Sequence, residues 1–207
     1  LIENFLWLSD KINIKVIHNP IDLKNIETNF DSSSELNYNY IVTAGRLIPE
    51  KGFNVLINSF AKISPKFPNL KLIILGKGKL RQELTNQIAS LNINEKVLLP
   101  GFVKNVYPYF KNADLCVVSS TVEGFPNVLL QMISQNNNVI STLCSGGIDE
   151  IRGVKTIPVN DSDKLSEAII EVLLKDNSEN RKYFDIELKN RTVASFINKI
   201  DKELISQ

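Results

Sequence analysis

The sequence predicts an α/β fold: a Rossmann-like, doubly wound parallel sheet with C-terminal helices. Three observations predict it. Short apolar runs rich in β-branched residues recur from Tyr40 onward, as buried parallel strands do. Segments with helical apolar spacing alternate with them. Glycine- or proline-bearing turns follow the strands in the same sense, which right-handed crossovers gather on one rim. At 207 residues the chain suits one domain with a real core and is short for two.

Residues 1–22 read as a leading, interdomain segment. Within it Lys15-Val16-Ile17 reads as a short strand and Asn19-Pro20-Ile21-Asp22 as a turn. Residues 23–175 read as the Rossmann-like domain. It opens on a polar surface loop through Asp31-Ser32-Ser33-Ser34, and Tyr40-Ile41-Val42-Thr43-Ala44 is its first clear strand. Phe53, Leu56, Ile57, Phe60 and Ile63 fall on one face of a helix. Leu70–Leu75 is the next strand, and Leu80, Leu84, Ile88 and Leu91 mark the next helix. Val97-Leu98-Leu99 is a short strand closed by Pro100-Gly101, with a short helix over Val106–Asn112.

Leu115-Cys116-Val117-Val118 is a buried strand, and Val128–Ile133 starts a helix whose first turn suits Pro126. Val139-Ile140-Ser141 and Thr156–Val159 are the last strands, with Pro158 marking an edge. Asp161 or Ser162 caps the helix carrying Leu165, Ala168, Ile169, Val172 and Leu173. Residues 176–207 are the C-terminal helices, with one or two amphipathic helices over 178–206.

Apolar residues make up 43% and charged residues 23%, a globular composition. The net charge of +1 gives no field steering the chain to nucleic acid or lipid. Cys116 and Cys144 read as buried small hydrophobes. With His18 the only histidine, read as a structural loop residue, no Cys/His cluster exists to hold a metal. A reducing, cytoplasmic setting is expected. No apolar run approaches the about 18 residues of a membrane span. The N-terminus has neither an initiator Met nor a basic leader, so the chain reads as starting partway through a longer protein.

Four strand-end loops carry chemistry-bearing residues. Gly45–Gly52, Gly-Arg-Leu-Ile-Pro-Glu-Lys-Gly, offers the fork of Arg46 and the compact charge of Lys51, a pair suited to a diphosphate. Gly76-Lys77-Gly78 permits close backbone approach, but Arg81 stands where a dinucleotide fingerprint needs its third glycine, and no P-loop pattern occurs. Ser119–Asn127 sets Glu123, Gly124 and free backbone N–H groups before a helix N-terminus. Ser145-Gly146-Gly147-Ile148-Asp149-Glu150 again sets glycines before an expected helix start. A Ser-His-Asp triad would need His18, which lies on no nucleophile elbow.

The order Gly-Arg-x4-Lys-Gly, Gly-x-Gly, Ala-Asp, Glu-Gly-Phe-Pro-Asn and Gly-Gly-x-x-Glu resembles the C-terminal half of the retaining GT-B glycosyltransferases, the group 1 family (family 4 of the sequence classification). The resemblance covers about residues 14–175. It implies one half of a GT-B fold that binds a nucleotide-sugar donor, needs no metal or other cofactor, and transfers a hexosyl group with retention. The pathway it implies is cell-envelope glycan synthesis. Arg46 and Lys51 would hold the donor diphosphate, and Glu123 would contact sugar hydroxyls. Backbone groups of Gly124, Phe125, Pro126 and Asn127 would line the sugar–phosphate pocket, Pro126 through its carbonyl alone, and Gly45, Gly76, Gly78, Val128, Gly146 and Gly147 would also belong to the donor-binding set. Phe102, Val103 and Lys104 would meet the base. The second glutamate of the family's Glu-x7-Glu pattern falls at Gln131, which cannot accept from both ribose hydroxyls as a carboxylate does.

The family's acceptor domain has no counterpart in residues 1–39. The expected partners are therefore a nucleotide sugar and an N-terminal acceptor half, with any contact to the inner face of a membrane made through that half. The isolated chain is expected to bind a donor weakly without transferring sugar. A second reading is a catalytically inactive binding or interaction module.

Overall fold

A computed structural model of the chain describes residues 17, 19–22 and 36–205, with side chains to 202. The strand reading at residues 15 and 16, His18 and the 31–34 loop lie outside the described residues. The elements run β1 (Tyr40–Ala44), α1 (Phe53–Ile63), β2 (Lys71–Leu75), α2 (Arg81–Ser90), β3 (Val97–Gly101), α3 (Tyr107–Lys111), β4 (Leu115–Val118), α4 (Asn127–Ile133), β5 (Val139–Thr142), β6 (Lys155–Ile157), α5 (Ser162–Leu174), α6 (Asn180–Asn190) and α7 (Val193–Ile205).

The strands form one parallel sheet in the order β3-β2-β1-β4-β5-β6. The chain winds outward from β1 through β2 to β3, then returns to the other side of β1 as β4. The register there is Ile41 opposite Leu115 and Val42 opposite Cys116. That reversal makes the carboxyl ends of β1 and β4 the topological switch point, where doubly wound sheets take their ligands.

The alternation along each strand splits the core in two. Ile41, Leu72, Ile74, Leu115, Val117 and Ile140 face the layer of α1, α2 and α5. Tyr40, Val42, Ile73, Leu75, Cys116, Val118 and Val139 face the layer of α3, α4 and α6. A strand buried on both faces has no room for polar alternation, which is why these runs are continuously apolar. Along α1 the five spaced apolar residues are all buried, and Ser59 also turns inward, donating to the carbonyl of Ser162 at 2.9 Å. The Asp161 side chain caps α5, accepting from the N–H groups of Asp163 and Lys164 at 3.1 and 2.8 Å. Asp114 accepts from Tyr40 N–H at 2.7 Å, so the Ala-Asp pair clamps β4 to the start of β1.

Several expectations are corrected. Ile21 forms a parallel bridge to Thr192 rather than part of a turn. Pro100 and Gly101 lie within β3, where an edge strand tolerates a missing N–H. The short third helix is one residue shorter at each end than the spacing predicts. Pro126 is the N-cap of α4, with extended ψ, and the helix starts at Asn127. No helix follows Gly146-Gly147; residues 143–153 cross from β5 to β6 as successive turns. Pro158 directly follows β6, which is the edge strand it predicts.

Candidate functional site

The β1 loop is a short 3-10 turn, Pro49–Lys51, ended by Gly52 in the left-handed region at φ 60°. A side chain at Gly52 would stand 2.1 Å from the carbonyl oxygen of Ser119, so only glycine lets the β1 and β4 loops meet here. They are stitched together: Thr121 N–H donates to Glu50 O at 2.8 Å and Ser119 Oγ to Lys51 O at 2.9 Å. The Gly76–Gly78 turn packs equally closely from the β2 side. A Cβ on Gly76 (φ 141°) would lie 1.8 Å from Gly45 O, and one on Gly78 2.4 Å from Leu47 O.

This scaffold brings two sequence-predicted residues into contact. Lys51 Nζ donates to Glu123 Oε1 at 2.6 Å, with 18% and 15% of the two side chains exposed. Ser120 Oγ donates to the same oxygen at 2.6 Å. Oε1 thus carries both donors, while Oε2 has no hydrogen bond among the described residues. Glu123 N–H is anchored on Cys144 O at 2.9 Å. Ser145 Oγ donates to Gly124 O at 2.6 Å, which ties the fourth loop to the third. Burial pushes the Cys144 thiol above its usual range, so it stays protonated beside this carboxylate.

The other residues are placed as follows. Arg46 is exposed on the Lys51 loop, without an ion pair among the described residues. Gly124 and Gly146 are exposed, with open space where a Cβ would go, and Gly147 is left-handed at φ 80°. Phe102 is 69% exposed beside Lys77, whose ammonium lies 5.6 Å from its ring centre. Lys104 is exposed, whereas Val103 and Val128 are half-buried and pack on the second core. The Pro126 carbonyl, expected to face the pocket, accepts from Leu129 N–H at 2.8 Å in the first turn of α4. Asn127 Oδ1 accepts from Asn19 at 2.9 Å, and Gln131 Nε2 reaches the Tyr107 hydroxyl at 3.4 Å.

The sequence reading missed Ser120, Tyr107, Asn19 and Arg191. Ser120 could have been found from its place three residues before Glu123. The others come from distant segments and leave no local signal. A polar hollow beside Lys111, Asn136 and Lys175 lies at the opposite end of the sheet. Asn136 there spends its amide on Phe110 O and Ala113 O, both at 2.7 Å, which is a structural use.

A doubly wound parallel sheet whose switch-point loops present cations, a carboxylate and open backbone is a Rossmann-type ligand-binding domain. Comparison with known families makes this specific. The model of the glycosyl transferases group 1 matches residues 25–191, and the chain belongs to that family.

An uncharacterised glycosyltransferase of Methanocaldococcus jannaschii is 36% identical over 148 residues, covering 68% of this chain and 36% of the relative. The Campylobacter jejuni N-acetylgalactosamine-N,N'-diacetylbacillosaminyl-diphospho-undecaprenol 4-alpha-N-acetylgalactosaminyltransferase is 36% identical over 153 residues, covering 74% and 40%. The chain thus spans about two fifths of the length of these relatives. Anabaena HepE, solved in complex with UDP, superposes with a TM-score of 0.77 at 22% identity, over 93% of this chain and 57% of that one, and shares the fold. Among the described residues no helix is long and apolar enough to cross a membrane.

Proposed function

We propose that this chain is the donor-binding part of a glycosyltransferase that moves a hexosyl group from a nucleoside-diphosphate sugar to an acceptor with retention. The observation that carries the reading is the meeting of Lys51 and Glu123 at the β1/β4 switch point, with Arg46 on the Lys51 loop. Departure of a nucleoside diphosphate builds negative charge on phosphate oxygens. Arg46, Lys51 and the N–H groups before α4 are preplaced to stabilise that charge without reorganising. Oε2 of Glu123, which has no hydrogen bond among the described residues, accepts from a sugar hydroxyl, while Lys51 and Ser120 hold Oε1 in place. This division assigns the leaving-group charge to side chains and asks for no metal.

Acceptor recognition belongs to an N-terminal half, a reading supported by relatives more than twice as long as the matched region. The chain alone then binds donor and does not transfer sugar. A cell-envelope acceptor is supported by the Campylobacter relative, which by its name acts on a diphospho-undecaprenol. The setting this implies is the cytoplasm, at the inner face of the membrane. Thermal shift against UDP-, GDP- and ADP-sugars tests the reading. One nucleotide class is expected to raise the melting temperature, and Lys51→Ala to reduce that rise. No stabilisation by any of the three at millimolar concentration overturns it.

A further inference from the structure

Arg191 is a buried cation that the proposed chemistry does not use. It closes α6, is 4% exposed, and pairs with Glu187 one turn earlier. Its Nη1 is buried without a hydrogen-bond partner among the described residues. A buried charge so incompletely satisfied is disfavoured unless its surroundings compensate. Part of that compensation is a ring face: the guanidinium carbon lies 4.7 Å from the centre of Phe125. Phe125 belongs to the Glu123–Asn127 turn, two residues after the carboxylate and one before Pro126, whose φ is held at −77°.

The same junction gathers a third segment. Ile21 N–H donates to Arg191 O at 2.8 Å, and Ile21 bridges Thr192. Asn19 reaches Asn127 at the other end of the turn at 2.9 Å. The turn is therefore held from two sides: by Cys144 O at Glu123 N–H, and by this junction, through buried Arg191 at Phe125 and exposed Asn19 at Asn127.

We propose that Arg191 is a positioning residue: its guanidinium, stacked on Phe125, fixes the Glu123–Asn127 turn in the geometry that receives the diphosphate sugar. The proposal rests on the donor-site reading above. With the ring pinned and the Pro126 dihedral fixed, the Gly124 peptide and the Glu123 side chain lose freedom before any ligand arrives. The binding step then has less ordering left to do.

The test uses the 207-residue chain, with Arg191→Met, Phe125→Leu, their double variant, and Arg181→Met as a control in the first turn of α6, at its other end. Amide hydrogen exchange is followed in the ligand-free proteins, and UDP affinity is measured by calorimetry. In each single variant, exchange over residues 121–127 is expected to quicken and the UDP dissociation constant to rise, each about fivefold. The double variant is expected to be no worse than the worse single, and Arg181→Met to match wild type in both. A merely structural Arg191 would lower the melting temperature and leave UDP affinity unchanged. That result overturns the proposal, as does faster exchange confined to α6 and α7 or effects that multiply in the double variant. Should Arg191→Met fail to fold, Phe125→Leu carries the test through exchange at 121–127 and at 188–193. Should the wild-type chain not bind UDP, the donor reading fails for that nucleotide, and the exchange arm alone upholds or overturns the positioning role.

Discussion

Lys51 and Glu123 stand 72 positions apart in sequence and meet at 2.6 Å across the gap between β1 and β4. The contact exists because the chain reverses its winding there. It joins the cation expected at a phosphate to the carboxylate expected at a sugar, so neither is placed without the other. Lys51→Ala is expected to lower nucleotide affinity tenfold or more, the usual worth of about 1.5–3 kcal/mol for a hydrogen bond to a charged group. It also strips a donor from a largely buried carboxylate, with a stability loss of about 1 kcal/mol, or about 2–4 °C of melting temperature. Arg46→Ala is expected to weaken binding similarly with no change in melting, because Arg46 is exposed and unpaired among the described residues. Calorimetric titration beside thermal melting separates the two.

The glycines divide into two kinds. Gly76→Ala would push a methyl against Gly45 O at left-handed φ and is expected to cost at least about 2 kcal/mol. Gly124→Ala meets open space, so its melting temperature is expected to match wild type while nucleotide affinity falls. Unfolding curves and titrations on the same two variants decide this. Equal affinity for Gly124→Ala would mean the ligand does not approach that backbone.

Gln131 sits on α4 with its amide at 3.4 Å from the Tyr107 hydroxyl. Gln131→Glu restores a second acceptor oxygen and a charge. If a ribose diol docks here, donor affinity is expected to rise about tenfold, the difference between a neutral and a charge-assisted bond. Unchanged affinity in a competition titration would place the ribose elsewhere.

Alkaline pH is expected to destabilise the fold. Burial holds the thiols of Cys116 and Cys144 and the phenol of Tyr40 above their usual ranges, Tyr40 far above. The unfolded chain releases these protons first, so above about pH 8.5 it binds fewer protons than the native state and stability falls as pH rises. Below that range this contribution is fully present. The melting temperature should hold from pH 7 to 8 and drop toward pH 10.5. Tyr40→Phe is expected to flatten the upper part of that drop, while losing about 1 kcal/mol at neutral pH with the bond from the Tyr40 hydroxyl to Tyr109 O. A melting temperature flat across pH 7–10.5 would contradict this.

Legibility followed distance along the chain. Strands β1, β2 and β4 are readable because burial on both faces leaves them almost wholly apolar, with Thr43 and Lys71 the polar residues among them. A cap at Asp161 or Ser162 and the buried face of α1 are readable because each is set within a single helix, and the structure assigns the cap to Asp161. The turns after Gly146-Gly147 were misread as a helix start. Glycines before a polar stretch suit either outcome, and the packing of Ile148 and Ile151 into the second core favours turns here. The Pro126 carbonyl accepts from Leu129 N–H in the first turn of α4, a detail of backbone direction that residue types do not encode.

The sequence by itself determined the alternation of strands and helices from β1 through α5, and which loops carry cations, carboxylate and glycine. These follow from periodicity and local backbone chemistry. The tertiary structure alone decided that Lys51 shares an oxygen of Glu123 with Ser120, that Asn19 reaches Asn127, and that Arg191 lies under Phe125. Those contacts arise from the sheet's reversal and the return of α6 across it. A chain specifies such meetings through the packing of its whole core, not through any one stretch of its residues.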